Sequence, residues 1–204
     1  FSSINISENT PTQLDTSLLF DDLDNDPLSY SLTLQDTSGQ ESASINFAEG
    51  YTIFSLPFQI TAQDLIDEVA NAGGSCEQIY DYDGPTQAYV VYYSGDPETG
   101  AFTLTPGKGY VASCTASASV TLTGTSPSFV NIPLSSYEMV GVMPSMPAGS
   151  PISDYVYGCG SNLEIFTVDN LGDLVLISPN EDITESAGYV INCGPSGKWR
   201  GGAL

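Results

Sequence analysis

The chain has 204 residues, 41% of them hydrophobic, enough for one large domain or two small ones around a real core. Its 25 acidic residues face three basic ones, Lys108, Lys198 and Arg200, for a formal net charge of -22, a surface that repels nucleic acid and anionic membranes and attracts divalent cations or a basic partner. Histidine is absent, which excludes Ser-His-Asp and Cys-His catalysis and zinc sites of the Cys/His type, and no apolar stretch approaches the roughly 20 residues that span a bilayer.

The first residue is Phe1, with no basic leader ahead of an apolar run, as expected of a chain whose signal segment has been removed or that starts internally. Residues 1-45 contain neither a basic residue nor a cysteine. Their strand candidates are Ser3 to Ser7 and Ser29 to Leu34, and Asn5-Ile6-Ser7 is an N-glycosylation acceptor pattern that marks Asn5 as a glycan site. Ile4-Asn5-Ile6-Ser7-Glu8-Asn9-Thr10-Pro11 leads through Leu18-Leu19-Phe20 to Asp21-Asp22-Leu23-Asp24-Asn25-Asp26-Pro27-Leu28-Ser29-Tyr30. This run resembles the opening of cadherin-like repeats in prokaryotic adhesins. The resemblance implies calcium binding by Glu8, Asp22, Asp24 and Asp26, a chemistry that suits an ion taking six to eight oxygen ligands. A β-sandwich of that kind needs roughly 90 to 100 residues, and the likeness ends near Gln35. The segment is therefore expected to pack on the module next to it in the chain, or to add a strand to the sheet of a neighbouring copy.

Beyond residue 45 the chain contains two internal repeats. In the first, residues 50-57 (Gly-Tyr-Thr-Ile-Phe-Ser-Leu-Pro) precede a helix that Thr61 caps, with Asp64 three residues on, an apolar stripe of Leu65, Ile66 and Val69, and Gly73-Gly74 as its stop. Cys76 opens a strand running to Gly84, Ala88 to Tyr93 forms a second, and Gly109-Tyr110-Val111 leads to Cys114. A further strand is expected around Val120 to Thr123. In the second repeat, residues 136-144 carry the strand. Ser150 is expected to cap a short helix with Pro151 in its first position and Gly158 as its stop. Cys159, strands through residues 163-168 and 174-177, and Gly188-Tyr189-Val190 before Cys193 complete the match. Four cysteines allow three pairings. The repeat selects Cys76 with Cys114 and Cys159 with Cys193, bridges that favour an oxidising compartment and stabilise by about 4 kcal/mol each in the chain-entropy model.

The Gly50 to Pro57 strand, the Ile79-Tyr80-Asp81-Tyr82-Asp83-Gly84 strand and Leu104-Thr105-Pro106-Gly107-Lys108-Gly109-Tyr110 together resemble a module of large prokaryotic, chiefly archaeal, surface proteins. The likeness covers about residues 46-124 and is looser over 129-200, where Glu185-Ser186-Ala187 replaces the Pro-Gly-Lys element. It implies surface architecture and brings no catalytic residue with it.

The expected fold is mainly β: an N-terminal extended β segment (1-45) and two tandem pseudo-repeated small β modules (46-125 and 126-204), each with one short helix. The expected function is an extracellular, cell-surface structural subunit, not an enzyme. Its partners are copies of itself, in a surface layer, sheath, filament or tube, with calcium as a candidate cofactor. The alternative is a secreted adhesin or carbohydrate-binding module presenting rows of tyrosine from Tyr80, Tyr82, Tyr89, Tyr92 and Tyr93. A glycosidase resting on carboxylate pairs such as Asp81 with Asp83, or Glu181, Asp182 and Glu185, is the weakest alternative.

Overall fold

A computed structural model describes residues 39–96, 102–134, 136–143, 146–160, 163–193 and 197–202. The expected strands at Ser3 to Ser7 and Ser29 to Leu34, the acceptor Asn5 and the acidic set Glu8, Asp22, Asp24 and Asp26 lie outside these residues.

The first repeat is built from β1 (Gly39–Phe47), β2 (Gly50–Ser55), β3 (Ile60–Thr61), helix α1 (Ala62–Asn71), β4 (Ser75–Asp83), β5 (Ala88–Tyr93), β6 (Thr103–Leu104), β7 (Gly109–Ala116) and β8 (Ala118–Ser126). The second contains β9 (Phe129–Leu134), β10 (Tyr137–Gly141), a 3-10 turn (Ile152–Tyr155), β11 (Val156–Tyr157), β12 (Glu164–Val168), β13 (Leu174–Ile177), β14 (Gly188–Asn192) and β15 (Gly197–Gly202). The fold is mainly β, and among the described residues every strand pairing is antiparallel.

Each repeat has the same plan. A four-stranded sheet runs β2-β7-β4-β5 in the first and β10-β14-β12-β13 in the second. The strand before each sheet pairs with the strand after it: β1 with β8, and β9 with β15. The short β3-β6 pair has its counterpart in the bridge between Pro151 and Asp182. Alternation explains the burial. In β1, Ala43, Ile45 and Phe47 face inward while Ser42, Ser44 and Asn46 are exposed, and β8 answers with Val120 and Leu122. β1 thus runs across residue 45, where the N-terminal segment is expected to end, because its apolar face is covered by β8.

Helix α1 has the expected signals. Thr61 Oγ1 accepts from the Asp64 N–H at 3.1 Å, and Ala62, Leu65, Ile66 and Val69 are buried. Gly73, at φ 87°, turns the chain so that the Gly74 N–H reaches the Val69 carbonyl at 3.0 Å. The second repeat departs from expectation here. Ser150 does not cap a helix, and Pro151 stands before a single 3-10 turn without a side-chain cap. The reason is competition for the backbone: the Ser150 carbonyl accepts from Ile183, and the Ile152 N–H donates to Glu181. Gly158 comes after β11 rather than after a helix.

Among the described residues, buried side chains form three clusters. One lies inside the first repeat, around Phe54, Leu65, Ile79, Tyr92 and Tyr110. Another lies inside the second, around Val140, Ile152, Ile165, Tyr189 and Trp199. The third, centred on Val111, Met139 and Val190, joins the two repeats.

Candidate functional site

The contact between repeats is built twice, from equivalent residues. Phe54 bridges to Ala187 and Val140 bridges to Lys108. The Ser55 N–H donates to Ser186 O at 2.9 Å, and the Gly141 N–H donates to Gly107 O at 2.7 Å. In the repeat alignment Phe54 matches Val140, Ser55 matches Gly141, and Lys108-Gly109-Tyr110-Val111 matches Ala187-Gly188-Tyr189-Val190. The two modules are therefore related by a pseudo-two-fold, in the manner of an isologous dimer interface.

This contact explains the repeated Gly-Tyr-Val residue by residue. A Cβ on Gly109 would stand 2.6 Å from the Val140 carbonyl oxygen, and one on Gly188 would stand 2.8 Å from that of Phe54, so only glycine lets the other repeat's backbone approach. The tyrosine turns inward and closes its own loop. Tyr110 Oη accepts from the Thr105 N–H at 2.8 Å, and Tyr189 Oη accepts from the Thr184 N–H at 3.1 Å. Burial raises both phenols above their ordinary value. The valine, Val111 or Val190, enters the cluster between the repeats. Ser55 is fully buried: its hydroxyl donates to Ala187 O at 2.8 Å and accepts from the Val142 N–H at 3.1 Å.

The pseudo-symmetry is broken by charge. Lys108 Nζ meets both carboxylate oxygens of Asp81, at 2.9 and 2.8 Å. Glu138, from the other repeat, lies in the same environment and is 5% exposed. The matching positions on the other side of the axis are Ala187, Thr167 and Thr52, none of them charged. Burial pushes the Glu138 carboxyl up to about 7, partly relieved by Lys108 and reinforced by Asp81 and Asp83. Burial also holds Asp81 above the usual carboxylate range despite its lysine. For Lys108, burial pulls downward, but the hydrogen bonds and charge of Asp81 outweigh it and the net shift is upward. Glu138 and Asp81, crowded around one ammonium, retain protons that isolated carboxyls would lose.

The outer edges are the other prominent feature. Among the described residues, β5 pairs with β4 alone and β13 with β12 alone, so each four-stranded sheet ends in a strand with one free side. β5 reads Ala-Tyr-Val-Val-Tyr-Tyr and β13 reads Leu-Val-Leu-Ile, and neither carries a charge. Tyr89 is 61% exposed, Val90 49% and Leu176 63%. The expected tyrosine row is divided. Tyr92 is buried, Tyr80 and Tyr82 pack at the repeat contact, and Tyr89 and Tyr93 are exposed. Tyr89 stacks edge-on against Tyr82, with ring centroids 5.1 Å apart.

Cys76 is bonded to Cys114 and Cys159 to Cys193. The first disulfide joins directly opposed positions of β4 and β7, and the second ties the loop after β11 to the end of β14. Two disulfides, and the lack of any helix long and apolar enough to cross a membrane among the described residues, fit a secreted protein. Asp81 and Asp83 share one environment with Lys108, while Glu181, Asp182 and Glu185 are exposed. A cleft of about 350 Å³ lies between Ser42 and Ala43 on one side and Met143, Met146 and Ile183 on the other, with Glu41 and Glu185 in its walls.

Sequence reasoning does not single out Glu138, Ser55 or the Lys108–Asp81 pair. The available signal is that Glu138 is the one charged residue of β10 and Lys108 one of three cations in the chain. Comparison with protein-family models, with curated proteins and with solved structures found no match.

Proposed function

We propose that this chain is an extracellular structural subunit that assembles with copies of itself into a surface layer, sheath, filament or tube, without a catalytic role. One observation carries the reading: among the described residues, a chain of net charge -22 leaves an uncharged, apolar edge strand exposed at the end of each four-stranded sheet. A free edge of this kind is a template for another strand. The resemblance to surface-protein modules and the one disulfide in each repeat support an extracellular setting. Calcium held by Glu8, Asp22, Asp24 and Asp26 would offset part of the net charge that opposes association.

The test is the native size of the non-reduced protein by light scattering, with calcium and then with a chelator. Large ordered particles are expected, and their loss on chelation would locate calcium at the joints. A single chain of 21.5 kDa in both conditions would overturn the reading. It would leave the exposed Tyr89 and Tyr93 as the basis of an adhesin or carbohydrate-binding module.

A further inference from the structure

We infer that the joint between copies is heterologous: the edge of β5 left unpaired among the described residues of one copy pairs with the corresponding edge of β13 in the next. The inference rests on the self-assembly reading and names its contact. Solitary edges are ordinarily guarded by lysine, proline, bulges or inward-pointing charge. Residues 88–93 and 174–177 contain no charged residue and no proline, and their ladders to β4 and β12 are regular.

The charge distribution selects the occupant. A basic partner would seek the carboxylates carried elsewhere on the chain, and an anionic one would be repelled by its net charge of -22. A second copy brings an apolar, uncharged edge of matching kind, on which the strands of two acidic chains meet without setting carboxylate against carboxylate.

Two arguments favour unlike edges over like ones. On β5, Tyr89, Val91 and Tyr93 alternate with Val90 and Tyr92, and β13 presents leucine, valine and isoleucine. Pairing them sets the tyrosines of β5 against β-branched residues of β13, a cross-strand combination that stabilises sheets, whereas a β13-to-β13 joint offers no aromatic side chain. The pseudo-two-fold, moreover, puts equivalent edges at the two sheet ends. Like-with-like pairing closes after two copies at each edge and requires two different joints to continue. A β5-to-β13 joint continues with one, merging the sheet β2-β7-β4-β5 of one copy with β13-β12-β14-β10 of the next.

The test uses the full chain in three forms: the parent, Tyr89→Glu on β5, and Leu176→Glu on β13. Both positions are exposed, so each variant is expected to fold, with circular dichroism as the check. Val90→Glu and Leu174→Glu replace them if it does not. The parent is expected to form particles. Each variant alone is expected to fall to a single chain of 21.5 kDa, and an equimolar mixture to give a species of twice that mass, because one variant retains a free β13 and the other a free β5. A variant that dimerises alone would overturn the inference in favour of like-edge pairing. Particles undiminished in both variants would overturn the joint but leave self-assembly standing. A parent that stays a single chain at every concentration would overturn both.

Discussion

Glu138 shows how one side chain couples the repeat contact to pH. The residue is 5% exposed, and burial, with Asp81 and Asp83 nearby, raises its carboxyl to about 7 from the 4.5 of an exposed glutamate. Folding therefore favours the protonated form. The contribution is fully present below about pH 4.5 and is lost as pH rises towards about 7. Urea unfolding at about pH 5 and about pH 8 should show the parent losing stability across this window, while Glu138→Gln flattens the dependence. A displacement of this size corresponds to an upper figure on the order of 3 kcal/mol. An unchanged slope in the variant would assign the loss to Asp81, which burial also raises, and to general self-repulsion of the acidic surface.

At the scale of elements, the Gly-Tyr-Val turn into β7 and β14 is where the repeats meet. Gly109→Ala or Gly188→Ala should each destabilise the fold by about 1–3 kcal/mol, because the new methyl meets backbone atoms that cannot swing away. Denaturant titration measures this directly, and a neutral outcome would mean the repeats part to make room. Much of this level is legible in the sequence. β-branched and aromatic runs mark β5 and β13, and Thr61 with Asp64 marks the start of α1. β1 is harder to see, since Ala43 and the serines around it give a weak apolar alternation in an otherwise acidic stretch. The 3-10 turn reads as a helix because Ser150-Pro151 is a good local start, and only the tertiary bonds to residues 181 and 183 override it. The contact itself is not legible. A repeated glycine signals that space is short without naming what fills it, and the neighbour of Gly109 lies in the other repeat.

At the scale of the molecule, the shared cluster of Val111, Met139 and Val190 joins the two repeats, which are therefore expected to unfold together. Removing the first repeat's disulfide with Cys76→Ala and Cys114→Ala should lower stability by about 4 kcal/mol. The single tryptophan, Trp199, reports from inside the second repeat. Its fluorescence transition is expected to move together with the circular-dichroism transition of the entire chain. Separate transitions would show that the modules unfold independently. The doubled contact also bears on how the chain is free to change. In an association of two identical chains, a substitution at a self-complementary surface appears on both sides of the axis at once, so a buried charge would always be duplicated. Covalent succession lifts that constraint. Lys108, Asp81 and Glu138 occupy one side and Ala187, Thr167 and Thr52 the other, so the molecule has a front and a back that its backbone alone does not distinguish.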